Sequence, residues 1–218
     1  VNIEVNKQTD IPEVIHAFSQ DFKTEKFPFK FISNGIFGYV AHDAVNYFEQ
    51  IELNKEKEGQ DIPDIYYAVY QNIIAISLFS HEAHLFSHSL NGAHNLEKLE
   101  QYIKSIKQSK FSFKKIGDKT SNLTDTEFLD YVKQGKKHCY RGDVFQLVLS
   151  RRFSQNFQGD EFNVYRTLRS INPSPYLFYF DYGNFKIFGS SPEAQLIIQD
   201  GKAEIHPIAG TFKRTGDD

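Results

Sequence analysis

The sequence contains very little cysteine and no long apolar run, and both absences narrow the class of protein. One cysteine in 218 residues cannot form an intrachain disulfide or a cysteine-rich metal site. A reducing compartment is then the default, so we expect a cytoplasmic location. No apolar run approaches the roughly 20 residues that cross a bilayer, and the start at Val1–Glu4 lacks the pattern of a signal peptide. We therefore expect no membrane partner.

A strong charge of either sign is also missing. The 25 basic and 28 acidic side chains give a formal net charge of −3, which argues against a dedicated nucleic-acid binder. Aromatic residues are abundant instead, with 21 Phe and 12 Tyr but no Trp. One nucleic-acid alternative stays open, in which Phe37 and Tyr39 lie on an RNA-binding sheet and Lys133–Arg141 supplies positive charge. That alternative requires an affinity that falls steeply with salt.

The absence of methionine suggests that the chain is an internal piece of a longer protein. The last residues, Lys213–Asp218, form a polar turn directly after a strand-like segment, whereas a natural domain more often finishes after a complete element. We expect residues 1–107 to form an incomplete N-terminal region and residues 122–218 the first part of a catalytic domain. The lysine- and serine-rich residues 108–121 are interpreted as the connection between them.

Hydrophobic periodicity predicts a mixture of helices and strands. In the first half, Asp10 is the predicted N-cap of one helix and Leu96 begins another. The segments Phe31–Val40 and Tyr66–Leu78 are strand-like, and a turn at His81 leads into a further strand. Histidines 81, 84 and 88 resemble a metal cluster, but we interpret them as polar residues on the solvent face of a hairpin.

The second half has clearer signals. Thr124 and Glu127 fit a capping box at the start of a helix, whose apolar face includes Cys139 as a small core residue. Val144–Leu149 is a candidate for a buried strand, and Asp160 opens another helix. Two hairpins are predicted around the turn dipeptides Gly183-Asn184 and Asp200-Gly201. We therefore predict an α+β fold in which helices flank antiparallel sheets.

The common phosphate, dinucleotide and hydrolase signatures are absent, but four stretches near the end of the chain are chemically unusual. Gln146 is a polar amide inside an apolar run and needs hydrogen-bond partners. The two prolines of Asn172–Tyr176 form a rigid turn. Glu193 follows a proline, and Gly210-Thr211 offers an open backbone N–H beside a hydroxyl. Each feature alone is also compatible with an ordinary structural role.

Together and in this order, the four stretches resemble the chorismate-utilising enzymes, and within them the family of anthranilate synthase large subunits. The matching motifs are G-D-x-F-Q-x-V-L-S-x-R from Gly142, N-P-S-P-Y from Asn172, G-S-S-P-E from Gly189 and P-I-A-G-T from Pro207. Gly35–Tyr39 also resembles the N-terminal region of that family. The sequence departs from the family pattern at His42, at Leu177 and over Phe212–Thr215.

The resemblance implies part of the family fold and conversion of chorismate and ammonia to anthranilate and pyruvate, the first step of tryptophan biosynthesis. It also implies Mg²⁺ as cofactor with ligands outside these residues, a glutamine amidotransferase subunit that supplies ammonia, and tryptophan as feedback inhibitor. The implied catalytic residues are Glu193 and Thr211; the substrate-binding residues are Gln146, Ile208, Ala209 and Gly210; the tryptophan-binding residues are Asn172, Pro173, Ser174, Pro175, Tyr176 and Leu177.

Two positions separate the members of the family. Relatives that add water to chorismate carry a lysine base where Gln146 stands, and a neutral amide cannot take a proton from water at a useful rate. Aminodeoxychorismate synthases carry a nucleophilic lysine where Ala209 stands. Direct attack by ammonia remains, with Glu193 as the general acid that protonates the departing 4-hydroxyl.

Several alternatives stay open. An aminodeoxychorismate synthase or an isochorismate-forming enzyme is opposed by Gln146 and Ala209, and product mass would decide. A non-catalytic tryptophan-sensing module would keep the Pro175–Leu177 pocket without chemistry. The remaining family motifs, which hold the metal ligands and a catalytic histidine, are not in these 218 residues. We therefore expect the chain to be inactive by itself and prone to self-association.

Overall fold

The backbone packs into two compact units, Val1–Lys107 and Gln108–Asp218, which we call unit 1 and unit 2. The structure is a computed structural model. It describes residues 9–22, 24–25, 27–29, 31–51, 53, 62–89, 91–92, 94–105, 111–199 and 201–207. The division into functional regions at 1–107 and 122–218 stays a prediction.

Unit 1 combines two helices with two antiparallel strand pairs. Strand β1 pairs with β2, and β3 pairs with β4. The elements in chain order are α1 (Ile11–Gln20), β1 (Ile36–Val40), a 3-10 helix (His42–Tyr47), β2 (Ile65–Val69), β3 (Asn72–Ser77), β4 (Glu82–Ser87) and α2 (Leu96–Ser105).

Local sequence signals explain two features of unit 1. Helix α1 begins where predicted, because the Asp10 carboxylate accepts the backbone N–H of Glu13 at 3.0 Å. Strand β1 approaches β2 closely at Gly38. A Cβ on Gly38 would lie 1.8 Å from the Tyr66 carbonyl oxygen, so a residue with a side chain does not fit there.

An aromatic cluster forms around Phe86, which is one of the buried hydrophobic residues of unit 1. The rings of Phe27, Phe29 and Phe31 lie 5.3 to 6.0 Å from the Phe86 ring, centroid to centroid. His84 shares the face of β4 that carries Phe86, because side chains two apart in a strand point to the same side. Its ring lies 4.7 Å from Phe29. The expectation that the hairpin histidines face solvent is therefore wrong for His84.

Unit 2 contains three antiparallel strand pairs and two helices. Strand β5 pairs with β6, β7 with β8 and β9 with β10. The elements in chain order are β5 (Phe113–Ser121), α3 (Asp125–Arg141), β6 (Phe153–Gly159), α4 (Phe162–Ile171), β7 (Tyr176–Asp181), β8 (Lys186–Ser191), β9 (Leu196–Gln199) and β10 (Lys202–Ile205).

Helix α3 has the predicted capping box. The Thr124 hydroxyl accepts the Glu127 N–H at 3.3 Å, and the Glu127 carboxylate accepts the Thr124 N–H at 2.7 Å. Gly142 ends the helix in the left-handed conformation, with φ 79° and ψ 16°. Cys139, however, is exposed. Among the described residues of α3, Gly135 is the buried one. The expectation that Cys139 is a small core residue is therefore wrong.

Two other expectations in unit 2 are corrected. Residues 113–121 are strand β5, not connection, because this lysine-rich segment pairs with β6 from Phe113 opposite Gly159 to Ser121 opposite Phe153. Conversely, Val144–Leu149 is not a buried strand. No strand in the described part of the chain pairs with it, and Phe145 is 98% exposed.

Candidate active site

The β7–β8 hairpin brings two of the four chemically unusual stretches together. Its turn is held by Gly183 at φ 86° and by a hydrogen bond from the Tyr182 N–H to the Phe185 carbonyl at 3.0 Å. The resulting register places Tyr176 opposite Ser191 and Leu177 opposite Ser190. Residues 176–178 therefore lie beside residues 189–191.

The two faces of this hairpin have different neighbours. Tyr179 and Phe188 are cross-strand partners with rings 5.7 Å apart and nearly parallel, and they pack on Tyr165 of α4. On the other face, the Phe178 ring occupies the space above Gly189, where a Cβ would lie 2.6 Å from a ring carbon. Gly189 thus serves the packing of Phe178, and a larger residue would displace the ring.

Ser190 is the junction between the two stretches. It lies on the face that packs on α4, two residues after Phe188. Its hydroxyl donates to the carbonyl oxygen of Asn172 at 2.6 Å, and its Oγ lies 2.6 Å from the Oγ of Ser174. Asn172 is also the C-cap residue of α4. One side chain of β8 therefore fixes the start of the proline-containing turn.

Glu193 follows shortly after the end of β8 and is half-buried. Its backbone carbonyl accepts the hydroxyl of Ser191 at 3.2 Å. Its side-chain Oε2 is closed off from solvent and has no hydrogen-bond partner among the described residues. A buried polar atom without a partner costs roughly 1–3 kcal/mol. Such an atom calls for an explanation, and a bound group or a proton to be transferred would supply one.

A polar network that the sequence interpretation missed lies beside the aromatic layer. Lys186 Nζ is 2.9 Å from Glu161 Oε1, and the Tyr179 hydroxyl donates to the same oxygen at 3.3 Å. The Lys186 hydrogen bond lowers the pKa of Glu161, which in turn raises the pKa of Lys186. Burial and the Glu161 charge raise the pKa of Tyr179. The sequence held one signal for this network. A four-residue hairpin loop around Gly183-Asn184 places Lys186 opposite Asp181, so Lys186 could be expected near an acidic side chain.

Gln146 is not joined to Glu193 or to the turn by any hydrogen bond between described residues, and its side chain is exposed. Its neighbours Leu147 and Leu149 pack on α3 at Gly135. A Cβ there would lie 2.9 Å from a Leu147 methyl and 3.6 Å from a Leu149 methyl. The buried position expected for Gln146 is therefore wrong, because the segment lies along a helix rather than inside a sheet.

The remaining predicted site residues, Ile208, Ala209, Gly210 and Thr211, lie outside the described residues. Within the described residues, no group of three or more His, Cys, Asp or Glu side chains could hold a metal ion. Two clefts of about 440 and 790 Å³ lie in unit 1 and are lined by none of the predicted site residues. The candidate site consequently rests on the geometry of the β7–β8 hairpin and Glu193.

Comparison with known proteins identifies the class. The family of chorismate binding enzymes matches residues 2–218, and the chain belongs to that family. No helix that the described residues form has the length and apolarity needed to cross a membrane.

Individual relatives are more specific. The chain is 34% identical over 198 residues to anthranilate synthase component 1 of Aquifex aeolicus, covering 83% of this chain and 39% of the relative. It is 31% identical over 232 residues to the protein of the same name in Bacillus subtilis, covering 95% and 45%. The crystal structure of anthranilate synthase component I from Streptococcus pneumoniae is similar at a TM-score of 0.65 and 25% identity, covering 91% and 47%. The chain thus spans less than half the length of these relatives, and the predicted α+β, anthranilate synthase-like fold is confirmed.

Proposed function

We propose that this chain is the chorismate-site part of an anthranilate synthase component I. In the reaction, chorismate and ammonia give anthranilate, pyruvate and water. The proposal is supported by the names of relatives at about 30% identity that cover most of the chain. The observation that carries it is Oε2 of Glu193, which is closed off from solvent and has no hydrogen-bond partner among the described residues, two residues after the Ser191 that pairs with Tyr176 of the family motif N-P-S-P-Y.

Glu193 is the proposed general acid. The 4-hydroxyl of the ring departs as water only if it is protonated, since hydroxide is a poor leaving group. We propose that Glu193, whose Oε2 is closed off from solvent and without a hydrogen-bond partner among the described residues, donates this proton to the departing oxygen. General acid catalysis of this kind contributes on the order of 10²–10⁴-fold.

The identity of two further side chains supports ammonia as the nucleophile. Gln146 is an amide and has no basic group to activate water. Ala209 has no nucleophile to form an adduct with the ring. Both features oppose the hydroxylating and the aminodeoxychorismate-forming members of the family. We propose that Gln146 and residues 208–210 contact substrate, and that Thr211 assists Glu193.

The partners of the reaction are proposed with it. We propose that a glutamine amidotransferase subunit supplies ammonia, and that tryptophan inhibits by binding at Asn172–Leu177. The two prolines and the Ser190 bonds hold this turn rigid, so little conformational entropy is lost when a ligand binds. The described residues do not fit a Mg²⁺ site. We propose that the ligands of the metal and a cytoplasmic location belong to the complete protein.

We further propose that the 218-residue chain does not convert chorismate by itself. It spans 39% of the length of the Aquifex aeolicus relative and 45% of the Bacillus subtilis one, and Oε2 of Glu193 has no hydrogen-bond partner among the described residues. The chain incubated with chorismate, Mg²⁺ and ammonium should release no anthranilate fluorescence. Anthranilate formation under those conditions would refute this part of the proposal and leave the reaction type intact.

The general-acid role is tested in the complete enzyme with Glu193→Gln. The amide keeps the shape of the acid but cannot donate its proton, so we expect kcat to fall about 10²- to 10⁴-fold. Glu204→Gln on the exposed strand β10 is the matched control and should keep the wild-type rate. Full activity of E193Q, or a product whose mass is that of aminodeoxychorismate or isochorismate, would reject the proposed function.

A further inference from the structure

The hydroxyls of Ser174 and Ser190 form a directional chain. The Asn172 carbonyl can only accept, so the single proton of the Ser190 hydroxyl goes to it at 2.6 Å. Ser174 must then donate its own proton to Ser190 Oγ, also at 2.6 Å. Consecutive bonds of this kind polarise and strengthen one another. The turn is therefore held at two points, Asn172 and Ser174, by a single side chain.

The same end of β8 is also hydrogen-bonded to the backbone of Glu193. Ser191 follows Ser190 directly, and its hydroxyl donates to the Glu193 carbonyl at 3.2 Å. Two residues, Ser191 and Pro192, separate Ser190 from Glu193, whose Oε2 is closed off from solvent. Pro192, which lies within that interval, has a fixed φ and removes one of the soft torsions that would absorb a displacement. A shift of the turn therefore reaches the Glu193 carboxyl through few adjustable bonds.

We propose that Ser190 is a positioning residue that couples the Asn172–Tyr176 turn to Glu193. A molecule bound at the turn changes the placement of the carboxyl, and a substrate that engages the carboxyl changes the affinity of the turn by the same factor, because coupling between two binding sites is reciprocal. This inference rests on the proposed function, since it assigns tryptophan to the turn and proton donation to Glu193.

A purely structural role of Ser190 makes a different prediction. If its hydroxyl only capped α4, Ser190→Ala would lower the unfolding temperature and leave the enzyme's response to tryptophan unchanged. Coupling requires the hydroxyl itself, so Ser190→Thr should restore what Ser190→Ala loses. Ser170→Ala is the matched control, because its hydroxyl donates to the Arg166 carbonyl within α4, at 3.1 Å, and not to the turn.

The experiment uses the complete enzyme with chorismate, Mg²⁺ and ammonium, with and without tryptophan. For S190A we expect kcat to fall about fivefold, the scale of one neutral hydrogen bond, with the KM for chorismate within about twofold of wild type. The tryptophan concentration for half inhibition should rise at least about fivefold, the lower end of typical couplings. S190T should lie near wild type in both measurements, and S170A should match wild type.

Ser174→Ala gives an independent test without tryptophan. Because it removes the other end of the same bond, the S174A/S190A double variant should lose no more kcat than S190A alone. The inference is overturned if S190A keeps both the wild-type kcat and the wild-type tryptophan response, or if S190T is as impaired as S190A. It is also overturned if the kcat losses of S174A and S190A add in the double variant. These outcomes leave the proposed function standing. A wild-type enzyme that forms no anthranilate would overturn both.

Discussion

Glu161 forms both an ion pair and a hydrogen bond with residues of the β7–β8 hairpin. Its carboxylate receives hydrogen bonds from Lys186 and Tyr179, and its side chain is only 22% exposed. The lowered pKa of Glu161 means that the ionised form is favoured by folding. The resulting stability is present above the ordinary pKa of glutamate and is lost as the pH falls through the lowered value.

Glu161→Gln is therefore expected to lower the thermal unfolding midpoint at pH 7 by about 2–4 °C, the shift that roughly 1 kcal/mol produces in a chain of this size. The difference from wild type should shrink on acidification and vanish once Glu161 is protonated. Thermal melts monitored by circular dichroism from pH 7 to pH 3 measure it. Asp130→Asn, which breaks the exposed Asp130–Lys133 pair, is the control and should change little. A pH-independent difference would contradict the prediction.

Helix α3 carries its stabilising signals in its own sequence, at both ends. The reciprocal bonds of Thr124 and Glu127 satisfy N–H groups that would otherwise have no partner in the first turn. Thr124→Ala should lower the free energy of unfolding by about 1 kcal/mol. Urea denaturation followed by circular dichroism measures this change.

Thr167→Ala is the matched control for that measurement. Its hydroxyl bonds the Asn163 carbonyl one turn earlier in α4, a group that the helix already accommodates. Its removal should change the free energy of unfolding by no more than about 0.5 kcal/mol. Equal losses in T124A and T167A would show that the cap contributes nothing beyond an ordinary threonine hydroxyl.

The elements that sequence analysis predicted correctly are those whose signals are local. The Asp10 cap, the capping box of α3 and the turn at Gly183 each depend on residues within four positions of one another. The elements that it missed depend on distant partners. Strand β5 has a loop-like composition and is a strand only because β6 pairs with it some 40 residues later. The apolar run at Val144 lacks such a partner in the described structure.

The same difference between local and distant signals applies to the candidate site. Motif resemblance named Glu193 and Asn172–Leu177 as site residues but did not predict how they are arranged; the β7–β8 hairpin, whose turn was predictable, places Tyr176 opposite Ser191. The Ser190 junction and the Glu161–Lys186 pair were not predicted, since each depends on side-chain placement across the register. The roles of these residues in catalysis and inhibition stay predictions.

At the scale of the whole molecule, few of the large apolar side chains of the described residues are buried. Among the described residues, the buried hydrophobic side chains are those of Ala44 and Phe86. The β9–β10 hairpin has an apolar face, because the register puts Leu196 opposite Ile205 and Ile198 opposite Ala203, all on one side. Ile198 is 70% exposed and Ile205 is 71% exposed.

We expect the 218-residue chain to bind the dye 1-anilinonaphthalene-8-sulfonate and to sediment as larger species at higher concentration. The double substitution Ile198→Ser and Ile205→Ser should reduce both signals. Lys202→Ser on the opposite face of the hairpin should leave them unchanged. If the chain stays monomeric and does not increase the fluorescence of the dye, this face is covered in solution.

The turn between β7 and β8 also limits how this protein can tolerate length changes. If the turn at Gly183-Asn184 keeps its length, adding one residue beside it shifts the register of β8 by one and reverses the side that each of its side chains occupies, since successive strand residues alternate between faces. Ser190 would then point away from Asn172, and Phe188 would leave its place against α4. Adding two residues would restore the alternation. Natural variants with insertions at this bend should therefore gain residues in pairs, because only an even number keeps Ser190 and Phe188 on the face of β8 that packs on α4.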